Sequence, residues 1–135
     1  MKQALNALAF LLSAGAVVLM VLPTYVTTFG ADGGERGFLH HRWFDPFLLV
    51  YLDVVPALAL ISGIVLTAGL LVGLVRARVP GWVSIPGIGA ALLLVIFSYD
   101  TNSAGFVGGA GQLVAPILAT SSVLSTIAWW PRRRR

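Results

Sequence analysis

The sequence predicts an all-α, polytopic membrane protein: four transmembrane helices in a compact antiparallel bundle, with the N-terminus and C-terminus both cytoplasmic. Three observations carry this. The composition is 58% hydrophobic and only 10% charged, against the roughly 25% charge usual in soluble domains. The apolar residues fall into four long runs interrupted by charges, Gly and Pro. The basic residues collect at alternate ends of those runs. One domain over residues 1–135 uses the whole length, because four crossings of about 20 residues each leave no room for another. With no Cys, disulfide frameworks, thiolate metal sites and cysteine nucleophiles are excluded.

The first helix is expected over about 4–29, where nothing ionises except Tyr25 between Lys2 and Asp32. At about 1.5 Å per residue, its apolar part is long enough to cross a hydrocarbon layer of about 30 Å. Ala14-Gly15-Ala16 resembles a signal-cleavage pattern, but the apolar run continues through Leu22 as a retained anchor would. The second helix, 46–75, opens at Asp45-Pro46, a capping residue followed by the residue favoured at the first helical position. Arg76, Arg78, Pro80 and Gly81 then make a connection short enough for an antiparallel hairpin. The third, 82–99, is the shortest run and has an aromatic at each end. The fourth, 112–130, stops at Pro131 and Arg132, Arg133, Arg134 and Arg135. Helix is preferred to strand because the runs exceed barrel-strand length and do not alternate, and a helix pairs its own backbone groups in lipid.

Seven of the nine basic residues, Lys2, Arg76, Arg78 and Arg132 to Arg135, then share one side, and all five acids lie in or near the outer connections. That is the positive-inside pattern. The arginine tail after Trp129 and Trp130 reads as a cytoplasmic anchor at anionic lipid, with no nucleic acid implied.

Helices in lipid associate through small residues. Gly69 and Gly73 form a GxxxG spacing with Ser62 on the same side, and Gly63 lies on an adjacent stripe with Pro56 and Thr67. Ala115, Ala119 and Ser122 continue a stripe on the fourth helix. Packing within the chain is the expectation, with other membrane subunits or a homo-oligomer as partners beside the lipid bilayer.

Asp53 is the candidate proton or ligand site, since an acid within a span is costly and by default functional. Tyr51, Pro56, Arg42 and Tyr99 are grouped with it, Pro56 as a helix opener. A structural polar contact is the simpler alternative. The outer loop 30–45 holds His40, His41, Trp43 and Phe44, read as an interfacial aromatic belt. Two adjacent histidines without a third do not make a metal site. The Gly-rich link 105–111 lacks the Lys-Ser/Thr ending of a phosphate loop and is read as a flexible or re-entrant turn. No catalytic triad or elbow motif is present, so neither an enzyme nor a cofactor is implied.

The size and four-crossing layout are similar to those of the small multidrug transporters, whose first segment carries a membrane-embedded glutamate. Residues 4–29 here contain no acid, so that function is not carried over. The reading reached is a small integral membrane protein acting as an interaction or accessory component. A proton-linked transporter or channel using Asp53 and a holin-like pore former are the alternatives. The eight-to-one preference for Arg over Lys, with heavy use of Ala, Gly, Val and Leu, is compatible with a high-GC bacterial source, and the expected location is the plasma (inner) membrane. Reporter fusions at the two chain ends are expected to give cytoplasmic signals for both; signals on opposite sides would overturn the four-crossing arrangement.

Overall fold

Helix formation follows directly from the apolar runs. In a computed structural model, which describes residues 2–29, 37–45, 54–76, 80–98, 105–107 and 109–129, four helices account for most of the chain. They are α1 (Lys2–Val21), α2 (Val55–Val75), α3 (Ser84–Ser98) and α4 (Val114–Trp129). Three are long and apolar enough to cross a membrane: α1, α2, and α4 counted with the turn before it as Gly111–Trp129. The 20 residues of α1 and 21 of α2 span about 30 Å each at about 1.5 Å per residue. The 15 residues of α3 reach only about 22 Å by the same rise, extended by a 3-10 turn at Gly81–Val83.

The helices pack in a ring, α1 on α2, α2 on α3, α3 on α4 and α4 on α1, with little contact across the diagonals. Each buries a stripe at alternating three- and four-residue steps. On α1 the stripe is Asn6, Ala9, Ser13, Ala16 and Met20; on α4 it is Val114, Leu118, Ser121, Ser125 and Ala128. That period gives left-handed, knobs-into-holes packing. The outward faces remain apolar on every helix: Leu11 is 66% exposed, Ile61 57%, Ile85 67% and Ile127 53%. A bundle whose exterior is as oily as its interior gains little from the hydrophobic effect on association, so fit between small residues must hold it together.

The glycines show that fit. A Cβ on Gly63 would sit 3.1 Å from Met20 Cε, and one on Gly69 would sit 2.8 Å from Val83 Cγ2. A Cβ on Gly81 would meet the Trp129 indole at 2.8 Å. The tightest approach is at Gly87, where a Cβ would collide with Ser122 Oγ and with Leu66 Cδ2. The glycine Cα hydrogen therefore faces the Ser122 oxygen, the geometry of a weak Cα–H···O contact between helices. Gly73 is buried as well, Ser62 is half-buried, and Ala115 and Ala119 are partly buried against the core.

The connections at one end differ from the loops expected from the sequence. α1 stops at Val21, not near residue 29. Pro23 has no N–H to continue the helix and disfavours the helical conformation at Leu22. The following Tyr-Val-Thr-Thr-Phe is β-branched and aromatic, which suits an extended strand. It forms β1 (Tyr25–Phe29), the centre of a three-stranded antiparallel sheet ordered β2-β1-β3. β2 (Gly37–His41) comes from the predicted outer loop, with Tyr25 opposite His41 and Phe29 opposite Gly37. β3 (Gly105–Val107) comes from the Gly-rich link, with Tyr25 opposite Val107. That link is thus a strand followed by a 3-10 turn at Gly109–Leu113, not a re-entrant turn.

The described part of α2 begins at Val55, with Pro56 in its first turn. A proline there gives up no intrahelical bond, so Pro56 does not open the helix as the sequence suggested.

The glycine contacts set an expectation for unfolding in mixed micelles. Gly87→Ala should lower stability by about 1–3 kcal/mol through overpacking. Gly15→Ala, whose Cβ meets nothing within 4 Å, should be neutral or stabilising by up to about 1 kcal/mol through helix propensity. Equal effects of the two substitutions would show that the α3–α4 approach is not tight.

Candidate functional site at the sheet end of the bundle

The last turn of α1 leaves backbone carbonyls with no helical partner, as every helix end does. Here they are met by groups from the polar segment that the sequence brings back over the bundle. Leu22 N–H donates to Val18 O at 3.2 Å, closing the helix proper. Thr24 Oγ1 donates to Leu19 O at 2.8 Å. Trp43 N–H donates to Met20 O at 3.3 Å. The Trp43 indole Nε1–H then donates to Thr24 Oγ1 at 2.7 Å. The result is a relay, indole to hydroxyl to helix carbonyl, each donor polarising the next. Trp43 is 1% exposed, the largest of the fully buried side chains.

The interfacial role expected for the outer segment divides between two neighbours. Phe44 is 45% exposed, whereas Trp43 is turned inward as a plug. The histidines divide likewise. His40 is exposed and His41 buried, as successive strand residues point to opposite faces. His41 Nδ1 lies 3.2 Å from Asp45 Oδ2, and Asp45 N–H donates to Arg42 O at 3.0 Å, folding the chain into a turn. Arg42 is exposed on that turn. Among the described residues no group of three or more His, Cys, Asp or Glu could hold a metal ion.

Asp53, Tyr51 and Tyr99 lie outside the described residues, as do Arg132 to Arg135. Of the group assembled around Asp53 from the sequence, Pro56 is buried at the start of α2 and Arg42 is at the outer turn.

Sequence reasoning did not single out Thr24, Met20 or Leu19. The signal available was local: Pro23 followed by Thr24 marks a helix end needing acceptors satisfied. That Trp43 would supply the partner is a long-range fact no local pattern carries. Nor did it single out Asn6, and it placed Ser122 on the packing stripe of the fourth helix without marking it as an isolated polar group. Asn6 Oδ1 and Ser122 Oγ are both fully buried with no hydrogen-bond partner.

What this end can do chemically is present an ordered surface: a strand edge, an exposed His40 and Leu39, and Phe44, all held on the rigid Trp43 plug. It brings together no nucleophile, base and acid among the described residues. No known protein family, curated protein or solved structure matches the chain.

Trp43→Phe keeps an aromatic ring but removes the donor to Thr24 and the fused five-membered ring. It should cost at least about 1 kcal/mol, the net worth of one hydrogen bond, with a cavity contribution added. Trp43→Ala should cost about 3–5 kcal/mol, as for large aromatic truncations. Chemical denaturation in detergent followed by near-UV circular dichroism measures both. A Trp43→Ala variant as stable as the parent would show that the plug does not hold the sheet end.

Proposed function

We propose that this chain is a small integral membrane protein that crosses the bilayer four times and serves as an interaction or accessory component of a membrane complex. The observation that carries the reading is the division of its surface. An apolar exterior surrounds all four helices, and a structured sheet stands over one end of the bundle. The apolar exterior suits lipid or the helices of a partner. The sheet supplies a fixed, partly polar face for a partner outside the membrane.

In this reading α3 is the fourth crossing despite its length. A short apolar helix is accommodated by local thinning of the bilayer and by interfacial anchors, and Trp82, exposed at its start, is such an anchor. The seven basic residues at Lys2, Arg76, Arg78 and Arg132 to Arg135 favour a cytoplasmic end, leaving the sheet outside. The single lysine against eight arginines fits a bacterial source, for which the plasma membrane is the location we propose.

The competing reading, a proton-linked transporter, requires Asp53 to titrate. Asp53→Asn separates the two. An accessory protein should co-purify with the same companions in mild detergent whether residue 53 is Asp or Asn, and reconstituted vesicles should show no pH-driven flux. Flux that vanishes in the Asn variant would overturn the accessory reading in favour of transport.

A further inference from the structure

The interior of the bundle is not uniform along its length. On the sheet side it is lined by Met20, Leu94, Val114 and Leu118. Towards the end that carries Lys2 and Arg76 polar side chains join the apolar ones: Asn6, Ser13, Ser84, Ser121, Ser122 and Ser125 are all at most 9% exposed, interleaved with the buried Ala9, Leu66, Leu70 and Val83. Side-chain pairing fixes the level of the change. Ser121 Oγ donates to Ala9 O at 2.7 Å across the α1–α4 contact, and Ser122 faces Gly87 and Leu66. Asn6 Nδ2 reaches Leu70 O at 3.4 Å, nearer that end. On the sheet side of this level, Gly63 meets Met20, Val17 and Leu118, which are wholly apolar.

In the polar half, hydroxyl groups donate to backbone carbonyls: Ser13 to Phe10 O at 3.0 Å and Ser125 to Ser122 O at 2.8 Å. The bonds made are donations, so lone pairs accumulate without donors to fill them. Two atoms have no partner at all, Asn6 Oδ1 on α1 and Ser122 Oγ on α4. A buried amide oxygen without a donor is costly anywhere, and more so in a bundle surrounded by lipid. Such sites in folded proteins are characteristically occupied by buried water.

We propose that the half of the bundle interior remote from the sheet is a hydrated seam, holding bound water against Asn6 Oδ1 and Ser122 Oγ, and that the apolar half from Met20 to Leu118 is dry. Water supplies the two donors this acceptor-rich lining lacks. The seam ends where Met20 and Leu118 close on Gly63, and beyond it the Trp43 plug covers the sheet end. Passage at the sheet end of the bundle is therefore blocked. This stands on interior polarity alone and does not depend on the accessory reading.

Because the chain has no Cys, single substitutions report without background. Asn6→Cys and Ser122→Cys are compared with Ala16→Cys and Leu118→Cys in the full chain in lipid nanodiscs, using a small water-soluble methanethiosulfonate. The cysteine thiolate, which forms where water reaches, attacks the reagent's sulfur and expels methanesulfinate. The two polar-half positions should therefore label at least about ten times faster than the two apolar ones. Labelling of Asn6→Cys and Ser122→Cys as slow as that of Ala16→Cys and Leu118→Cys would overturn the proposal. Should the variants not fold, the unsubstituted protein decides through water-edited NMR of its side-chain amides, where the only other asparagine is Asn102. Rapid transfer of water magnetisation to the Asn6 amide is expected, and its absence would sink the hydrated seam.

Discussion

A helix that ends must hand its last carbonyls to something, and in this protein the recipient comes from far along the chain. The Trp43 indole donates to Thr24 Oγ1, which donates in turn to Leu19 O, while Trp43 N–H takes Met20 O. Pro23 stops α1, and these bonds determine how the chain leaves it and where the segment after β2 lies. The sheet has a fixed position because its central strand starts directly after Thr24 and its second strand leads directly into Trp43. Without this closure, the sheet end of the bundle would present bare carbonyls and an open apolar core.

The body of the molecule rests on a different economy. Where the outside is as apolar as the inside, close approach is what distinguishes a packed helix from a free one. Gly63, Gly69 and Gly87 each admit a neighbouring side chain into the space a Cβ would fill. Serine and threonine hydroxyls turn back onto their own helices, as Thr67 does to Gly63 O and Thr126 to Ser122 O. This lets polar residues occupy the bundle at small cost to the helical ladder. Ser121 departs from the pattern, donating across the helix contact to Ala9 O.

The helices were legible because hydropathy is a property of a run, and a run of twenty apolar residues has few alternatives. The small residues of α2 and α4 were visible as stripes for the same reason. The sheet was hidden because β1 continues the oily character of α1 without a break, so the eye follows hydrophobicity past Pro23. Hydropathy does not distinguish an apolar helix from an apolar strand, whereas the proline and the β-branched pair at Thr27 and Thr28 do. Strand pairing between residues so distant in sequence carries no local signature at all. The inward turn of Trp43 was illegible for that reason. Beside Phe44 it reads as one aromatic pair, yet the two face opposite environments.

The placement of β1 between β2 and β3 has a consequence for the order of assembly. β2 begins eight positions after the end of β1 in the sequence, so that pair can form as soon as both have left the ribosome. β3 is translated only after α2 and α3, and until then one flank of β1 has no strand to pair with. A nascent chain must therefore carry an incomplete ribbon while α2 and α3 are made. The second flank of β1 is paired only when the α3–α4 link arrives, and α4, translated after it, then packs against α1 and α3.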